Sequence, residues 1–168
     1  SLVYQEAFFL KISDLVGYKD SILFSNNKNE FFSIDRKSGI LNWKQRINSH
    51  MRPTIIGDKI FTVTEEGFLV IIDYNNGNIL RITDLFEEFT TKYILEKKPI
   101  RAKFKPVGFF VGLENIYLTT DNGRLFIIDI LTGRTNSIIK IDKEKISRPF
   151  VLNENLFIIR DNAIIKLN

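Results

Sequence analysis

The amino-acid sequence predicts an all-β fold of radially arranged, four-stranded antiparallel sheets, about four of them, and three observations predict it. First, a hairpin unit recurs. Ser33-Ile34-Asp35-Arg36-Lys37-Ser38-Gly39 is answered by Ile71-Ile72-Asp73-Tyr74-Asn75-Asn76-Gly77 and by Ile127-Ile128-Asp129-Ile130-Leu131-Thr132-Gly133. Second, the copies keep a step: Asp35, Asp73, Asp129 and Asn168, which stands where a fourth Asp would, lie 38, 56 and 39 residues apart. That is a period near forty with one insertion. Third, two more strand-like runs precede each hairpin. A unit of four short strands cannot bury both its faces alone, so such units stack side by side as the blades of a β-propeller.

Taken in order, the first unit runs through Leu15-Val16-Gly17 into Ile22 to Ser25, then Phe31 to Asp35, then Ile40 to Trp43. Alternation and enrichment in aromatic and β-branched types mark these runs as strands. In the second unit Arg52 to Ile56 and Lys59 to Thr64 flank Gly57-Asp58, a two-residue hairpin signal of the glycine-first type. Val107 to Val111 and Ile116 to Thr120 flank Leu113-Glu114-Asn115 in the third, and Pro149 to Leu152 and Leu156 to Arg160 flank Asn153-Glu154-Asn155 in the fourth. The chain then closes with Ala163 to Leu167.

The turn after each third strand has a backbone reason. An aspartate at its start accepts hydrogen bonds from the following N–H groups, and a glycine four residues on supplies the positive φ that closes a hairpin with a bulge. Asp35, Asp73 and Asp129 are therefore read as turn formers and not as a carboxylate ring for a metal ion. A second special position lies six residues ahead of each Asp, occupied by Asn29, Gly67 and Gly123, with Asn162 expected in the same place in the last unit. Asp121-Asn122-Gly123 looks like part of a calcium loop but lacks the Glu at the required distance. His50, the one histidine, is expected in a surface turn without catalytic pairing.

The insertion, about residues 84–105, carries the charge asymmetry. Asp84, Glu87 and Glu88 lead, and Lys92, Lys97, Lys98, Arg101, Lys103 and Lys105 follow. Leu85, Phe86, Phe89, Tyr93, Ile94 and Leu95 recur at near-helical spacing, which predicts a short helix from about Asp84 to Glu96, stopped before Pro99. Such an excursion either covers a blade edge or binds a partner, because rigid scaffolds present their function on loops. The candidate partner-binding residues are Lys97, Lys98, Arg101, Lys103 and Lys105.

Composition agrees with a folded domain. In 168 residues, 44% are hydrophobic and 12% aromatic, more than a disordered chain carries. Lys and Arg (24) nearly balance Asp and Glu (20), so the net charge of +4 gives no nucleic-acid footprint. No run reaches the roughly eighteen apolar residues of a membrane helix. The absence of Cys excludes disulfides, thiolate metal sites and a cysteine nucleophile together. No catalytic, cofactor or metal residues are assigned, and the reading is that of a non-enzyme.

The run Ser33-x-Asp35-x-x-Ser38-Gly39-x-x-x-Trp43 resembles the repeat of the pyrroloquinoline-quinone-type propellers. In that family the Trp docks between blades, so the resemblance implies that Trp43 is buried between neighbours. Arg81 and Ser137 stand where the Trp of the second and third copies would be. Degenerate Trp positions are more similar to the non-catalytic members, among them the scaffold lipoproteins of outer-membrane assembly, than to the dehydrogenases. The resemblance thus implies a protein-binding scaffold in the periplasm, anchored at the outer membrane in a longer parent, with envelope assembly factors as partners. A quinone-dependent dehydrogenase fragment or a sensor or ligand-binding ectodomain are the alternatives.

Residues 1–168 read as a single propeller domain or the C-terminal part of one. The final unit stops where its turn would begin, so its fourth strand has to come from elsewhere. Leu2 to Leu10 either supplies that strand and closes four blades, or forms the outer strand of a preceding blade in a larger ring. The larger ring is the expectation, completed by further blades of the parent chain or by a homodimer.

Overall fold

The computed structural model describes residues 10–87 and 104–167. The named elements there are fifteen strands in four antiparallel sheets, each a meander in chain order. Blade 1 comprises β1 (Val16–Tyr18), β2 (Ser21–Asn26), β3 (Glu30–Asp35) and β4 (Leu41–Gln45). Blade 2 comprises β5 (Thr54–Ile56), β6 (Lys59–Val63), β7 (Phe68–Asp73) and β8 (Ile79–Asp84). Blade 3 holds β9 (Pro106–Val111), β10 (Asn115–Thr120), β11 (Arg124–Asp129) and β12 (Thr135–Lys140). Blade 4 has three strands, β13 (Phe150–Leu152), β14 (Asn155–Arg160) and β15 (Ala163–Leu167). The all-β reading and the repeat boundaries hold, each strand falling within a few residues of its expected place.

The repeated turn is built as its residues require. Asp35 Oδ1 accepts the N–H groups of Lys37 (3.1 Å) and Ser38 (2.7 Å) and the Ser38 hydroxyl (2.7 Å). Asp129 Oδ1 accepts the Thr132 N–H (2.6 Å) and hydroxyl (2.8 Å), and Asp73 Oδ1 the Asn75 N–H (2.8 Å). In all three, the glycine four residues on donates its N–H to the aspartate carbonyl and takes φ of 71–75°. The register slips at the same place each time, between Ser33 and Ile34, Ile71 and Ile72, and Ile127 and Ile128. Each of blades 1 to 3 thus has a bulge between its third and fourth strands, and it twists the outer strand away from the sheet.

The inner hairpins follow their local chemistry too. Gly57 has φ 59° in the turn joining Ile56 to Lys59, and Asn153 and Glu154 both have positive φ where Leu152 pairs with Asn155. Asn29, Gly67 and Gly123 have positive φ as expected. The fourth unit departs from this. Four residues separate Ile159 from Ile164 where five separate Ser25 from Phe31, so the turn is one residue shorter, and its positive φ falls on Asp161 and not on Asn162.

Apolar seams join the blades. Between blades 1 and 2, Leu23, Phe31 and Ile47 meet Ile60, Val70, Ile72 and Tyr74. Between blades 2 and 3, Phe61, Val63, Leu69 and Ile71 meet Ile116, Leu118, Phe126 and Ile128. A smaller cluster of Leu125, Ile146 and Ile158 joins blades 3 and 4. The second and third strands of blades 2 and 3 are buried on both faces, which is why they read as near-continuous apolar runs. Between blade 4 and blade 1 the described residues show no shared core cluster or strand pairing, and the sheets do not form a closed ring.

The innermost strands of all four blades surround a cavity of about 590 Å³ on the common axis. Connector serines tie the entry segments of blades 1, 2 and 4 to their blades. The Ser13 N–H donates to the Ser25 carbonyl (2.9 Å), the Ser49 hydroxyl to the Val63 carbonyl (2.7 Å) and the Ser147 N–H to the Ile159 carbonyl (2.9 Å).

Candidate functional site

Of the five basic residues singled out, Lys97, Lys98, Arg101 and Lys103 lie outside the described residues. Lys105 is exposed, and its backbone is fixed: its N–H donates to Asp121 Oδ1 (3.0 Å) and its carbonyl accepts the Asp121 N–H (2.9 Å). Asp121 therefore works as a strap for the chain entering blade 3. Asn122 Oδ1 accepts the Thr120 hydroxyl (2.7 Å). These local bonds account for the fragment that resembles a calcium loop.

The helix expected from about Asp84 is entered near that place: the Phe86 N–H donates to Asp84 Oδ1 (3.1 Å) in a turn, and residue 87 is helical. Asp84 ends β8, and Leu85 and Phe86 turn inward, both fully buried, with the Leu85 N–H donating to the Gly67 carbonyl (3.0 Å). The remainder of that helix, from residue 88, lies outside the described residues. Phe86 stacks obliquely on Phe104 (centroids 5.5 Å) and edge-on against Phe126 (5.3 Å), while Phe104 meets Phe126 edge-on (5.6 Å). The insertion thus leaves and re-enters the fold at one aromatic cluster in the seam between blades 2 and 3.

Trp43 docks from blade 1 onto the turn of blade 2, as expected, but half-buried and not fully so. Its ring lies parallel to Phe31 (centroids 5.9 Å, 13°), and Nε1–H donates to the Tyr74 carbonyl (3.0 Å). A Cβ on Gly77 would fall 2.5 Å from Trp43 Cδ2, so the glycine gives the indole its seat. β4 is the outermost strand of blade 1, which leaves one side of the indole in water.

Arg81, eight residues after Asp73 as Trp43 is after Asp35, does the same work by other means. Its Nη2 donates to the Ile130 carbonyl (2.7 Å) and its Nη1 to that of Leu131. Ile130 follows Asp129 as Tyr74 follows Asp73, so the two docking side chains address equivalent carbonyls of the next blade. Sequence reading missed this because docking needs only a donor of the right reach, and the resemblance directed attention to tryptophan.

His50 sits half-buried with Nδ1 2.7 Å from Glu65 Oε1, a link between a connector and the β6–β7 turn. Among the described residues no group of three or more His, Cys, Asp or Glu could hold a metal ion, and no helix is long and apolar enough to cross a membrane.

Repeated blades, bulged Asp-to-Gly turns and inter-blade docking side chains define a β-propeller. Residues 11–83 match the family described as outer membrane protein assembly factor BamB. BamB from Moraxella catarrhalis superposes with a TM-score of 0.69 at 12% identity, over 92% of this chain and 41% of that one. The computationally designed Ika4 protein gives 0.69 at 11% identity, over 96% of this chain and 93% of Ika4. The β-propeller domain of Myceliophteria thermophila Cps50 (Swd1) gives 0.66 at 14% identity, over 88% and 48%. No curated protein matches in sequence. The chain is a β-propeller similar to BamB, and it spans less than half the length of the BamB and Cps50 chains.

Proposed function

We propose that this chain is a non-catalytic protein-binding scaffold acting in outer-membrane protein assembly. The observation that supports this reading most is the match of residues 11–83 to the assembly-factor family, on a fold shared with BamB over most of the chain. The compartment in this reading is the periplasm, with anchoring at the outer membrane in a longer parent, and the partners are envelope assembly factors. The partner surface is the basic segment carrying Lys97, Lys98, Arg101, Lys103 and Lys105. Its attachment at Phe86 and Phe104 supports that role, because a segment held at both ends by a packed seam is presented on a rigid base.

The experiment is capture from an envelope extract with the wild-type chain and with a variant in which Lys97, Lys98, Arg101 and Lys103 become Ser. Enrichment of outer-membrane assembly components by wild type, reduced in the variant at unchanged melting temperature, is expected. Equal capture by both forms would assign the insertion a structural role alone, and no enrichment of those components would overturn the assembly reading.

A ligand-binding ectodomain is the second reading, favoured by the axial cavity, whose wall includes Arg52 and Arg148 beside Ile55, Phe110 and Phe150.

A further inference from the structure

The meander brings the start of β9, the end of β10, the start of β11 and the end of β12 to one end of blade 3. Three cations stand there. Arg124 opens β11 and Lys140 closes β12, and the two are direct cross-strand partners. Lys105 precedes β9 and is exposed, with its backbone strapped to Asp121. Among the described residues no carboxylate forms an ion pair with any of the three. Asp121 Oδ1 is taken by the Lys105 N–H, and Asp142 by the Lys143 N–H and by Arg160 Nε (3.0 Å).

The other blades do not repeat this arrangement. In blade 1 the first residue of the third strand is Glu30, which pairs with Lys44 (2.6 Å), and in blade 2 it is Phe68, opposite Asp84. Like charges placed directly opposite one another in an antiparallel sheet repel, so the Arg124–Lys140 pair costs blade 3 stability. The arginine is also held in place. Its Cζ lies 5.4 Å from the centroid of the Phe104 ring, which itself packs edge-on against Phe126 (5.6 Å). A guanidinium stacked on an aromatic face keeps the N–H donors along its edge free for a planar anion, and it has less rotamer freedom left to lose on binding.

From this we infer that the end of blade 3 formed by Lys105, Arg124 and Lys140 binds an acidic segment of a partner protein. The inference rests on the scaffold reading and names the chemistry of its partner. Carboxylates supply the countercharge that the cross-strand pair lacks, the fixed guanidinium takes one of them through two parallel N–H bonds, and the ammonium groups take its neighbours. An extended acidic segment suits three separated cations, because every second side chain points the same way at a spacing of about 7 Å. Single-stranded nucleic acid suits them less. It draws on open aromatic faces for its bases, and Phe104, the ring beside the cations, already lies under Arg124 and against Phe126.

The test is fluorescence anisotropy of a short labelled peptide of alternating glutamate and serine, titrated with the 168-residue chain. Saturable binding is expected, weakened by salt and weakened at least tenfold by Arg124→Gln/Lys140→Gln at unchanged far-ultraviolet circular dichroism. Lys37→Gln/Lys59→Gln removes the same charge at the opposite end of blades 1 and 2, and should leave the affinity nearly unchanged. Lys140→Glu turns the like-charge pair into an ion pair, and should abolish binding while raising the melting temperature. No binding of the peptide, an equal loss in both double variants, or a lowered melting temperature for Lys140→Glu would overturn the inference. So would tighter binding of a single-stranded oligonucleotide of the same charge. Enrichment of assembly components by a chain that ignores the peptide would overturn this inference alone, and peptide binding without such enrichment would overturn the assembly reading alone.

Discussion

At the scale of the residue, the most informative group is the turn aspartate. Hydrogen bonds from the Ser38 hydroxyl and N–H hold the Asp35 carboxyl below its ordinary value of 3.8, and those from the Thr132 N–H and hydroxyl do the same for Asp129. A folded-state pKa below the unfolded one means that protons favour the unfolded chain. The stabilisation from these groups is therefore complete above 3.8 and fades as the pH falls through their depressed values. The variant Asp35→Asn/Asp129→Asn keeps an acceptor oxygen but cannot titrate. We expect it to unfold at lower urea than wild type at pH 7, with the gap narrowing toward pH 3, as followed by circular dichroism. An unchanged gap at both pH values would show that charge has no part in the turn.

At the scale of the element, the outer strand of each blade is held by one side chain reaching into the next turn. Trp43→Ala should lower stability by about 2 kcal/mol, less than the roughly 3–5 of a fully buried Trp because one side of the indole is already wet. Arg81→Ala removes two donors from backbone carbonyls and should cost about 1–3 kcal/mol, while Ser137→Ala should change little. Urea unfolding of the three variants checks the order, and equal values for Arg81 and Ser137 would refute the docking role of the arginine. Much of the element level was legible in the sequence. The Asp-x-x-polar-Gly spacing dictates where each bulge falls, and Gly57-Asp58 dictates its hairpin. The rest depended on contacts between blades. Nothing local distinguishes Arg81 from a solvated arginine, or shows that Leu85 and Phe86 are fully buried, until the neighbouring blade is in place.

At the scale of the whole molecule, cohesion between blades lies in apolar seams and little in charge. The Arg148–Asp14 pair has side chains more than half exposed, so Asp14→Asn should alter stability by under about 1 kcal/mol. Phe126→Ala, which opens a hole in the aromatic cluster between blades 2 and 3, should cost about 3–5 kcal/mol. Thermal unfolding of the two variants measures the contrast, and comparable losses would mean that the ion pair contributes as much as an apolar seam. The propeller was legible at this scale from periodicity alone. The unequal sealing of its faces was not, because Ile164 and Leu69 are equally apolar in sequence and differ only in what stands opposite them.

Phe86 and Phe104 touch although seventeen residues of chain lie between them, so the fold meets that stretch as a loop whose two ends are already joined. The entropy of closing such a loop grows only with the logarithm of its length, about 0.6 kcal/mol for each doubling. Closure entropy alone therefore sets only a small cost on lengthening the sequence between them. A foreign peptide grafted between Phe86 and Phe104 is expected to leave the melting temperature of the propeller nearly unchanged, and a large drop would show that the native sequence there supports the blades.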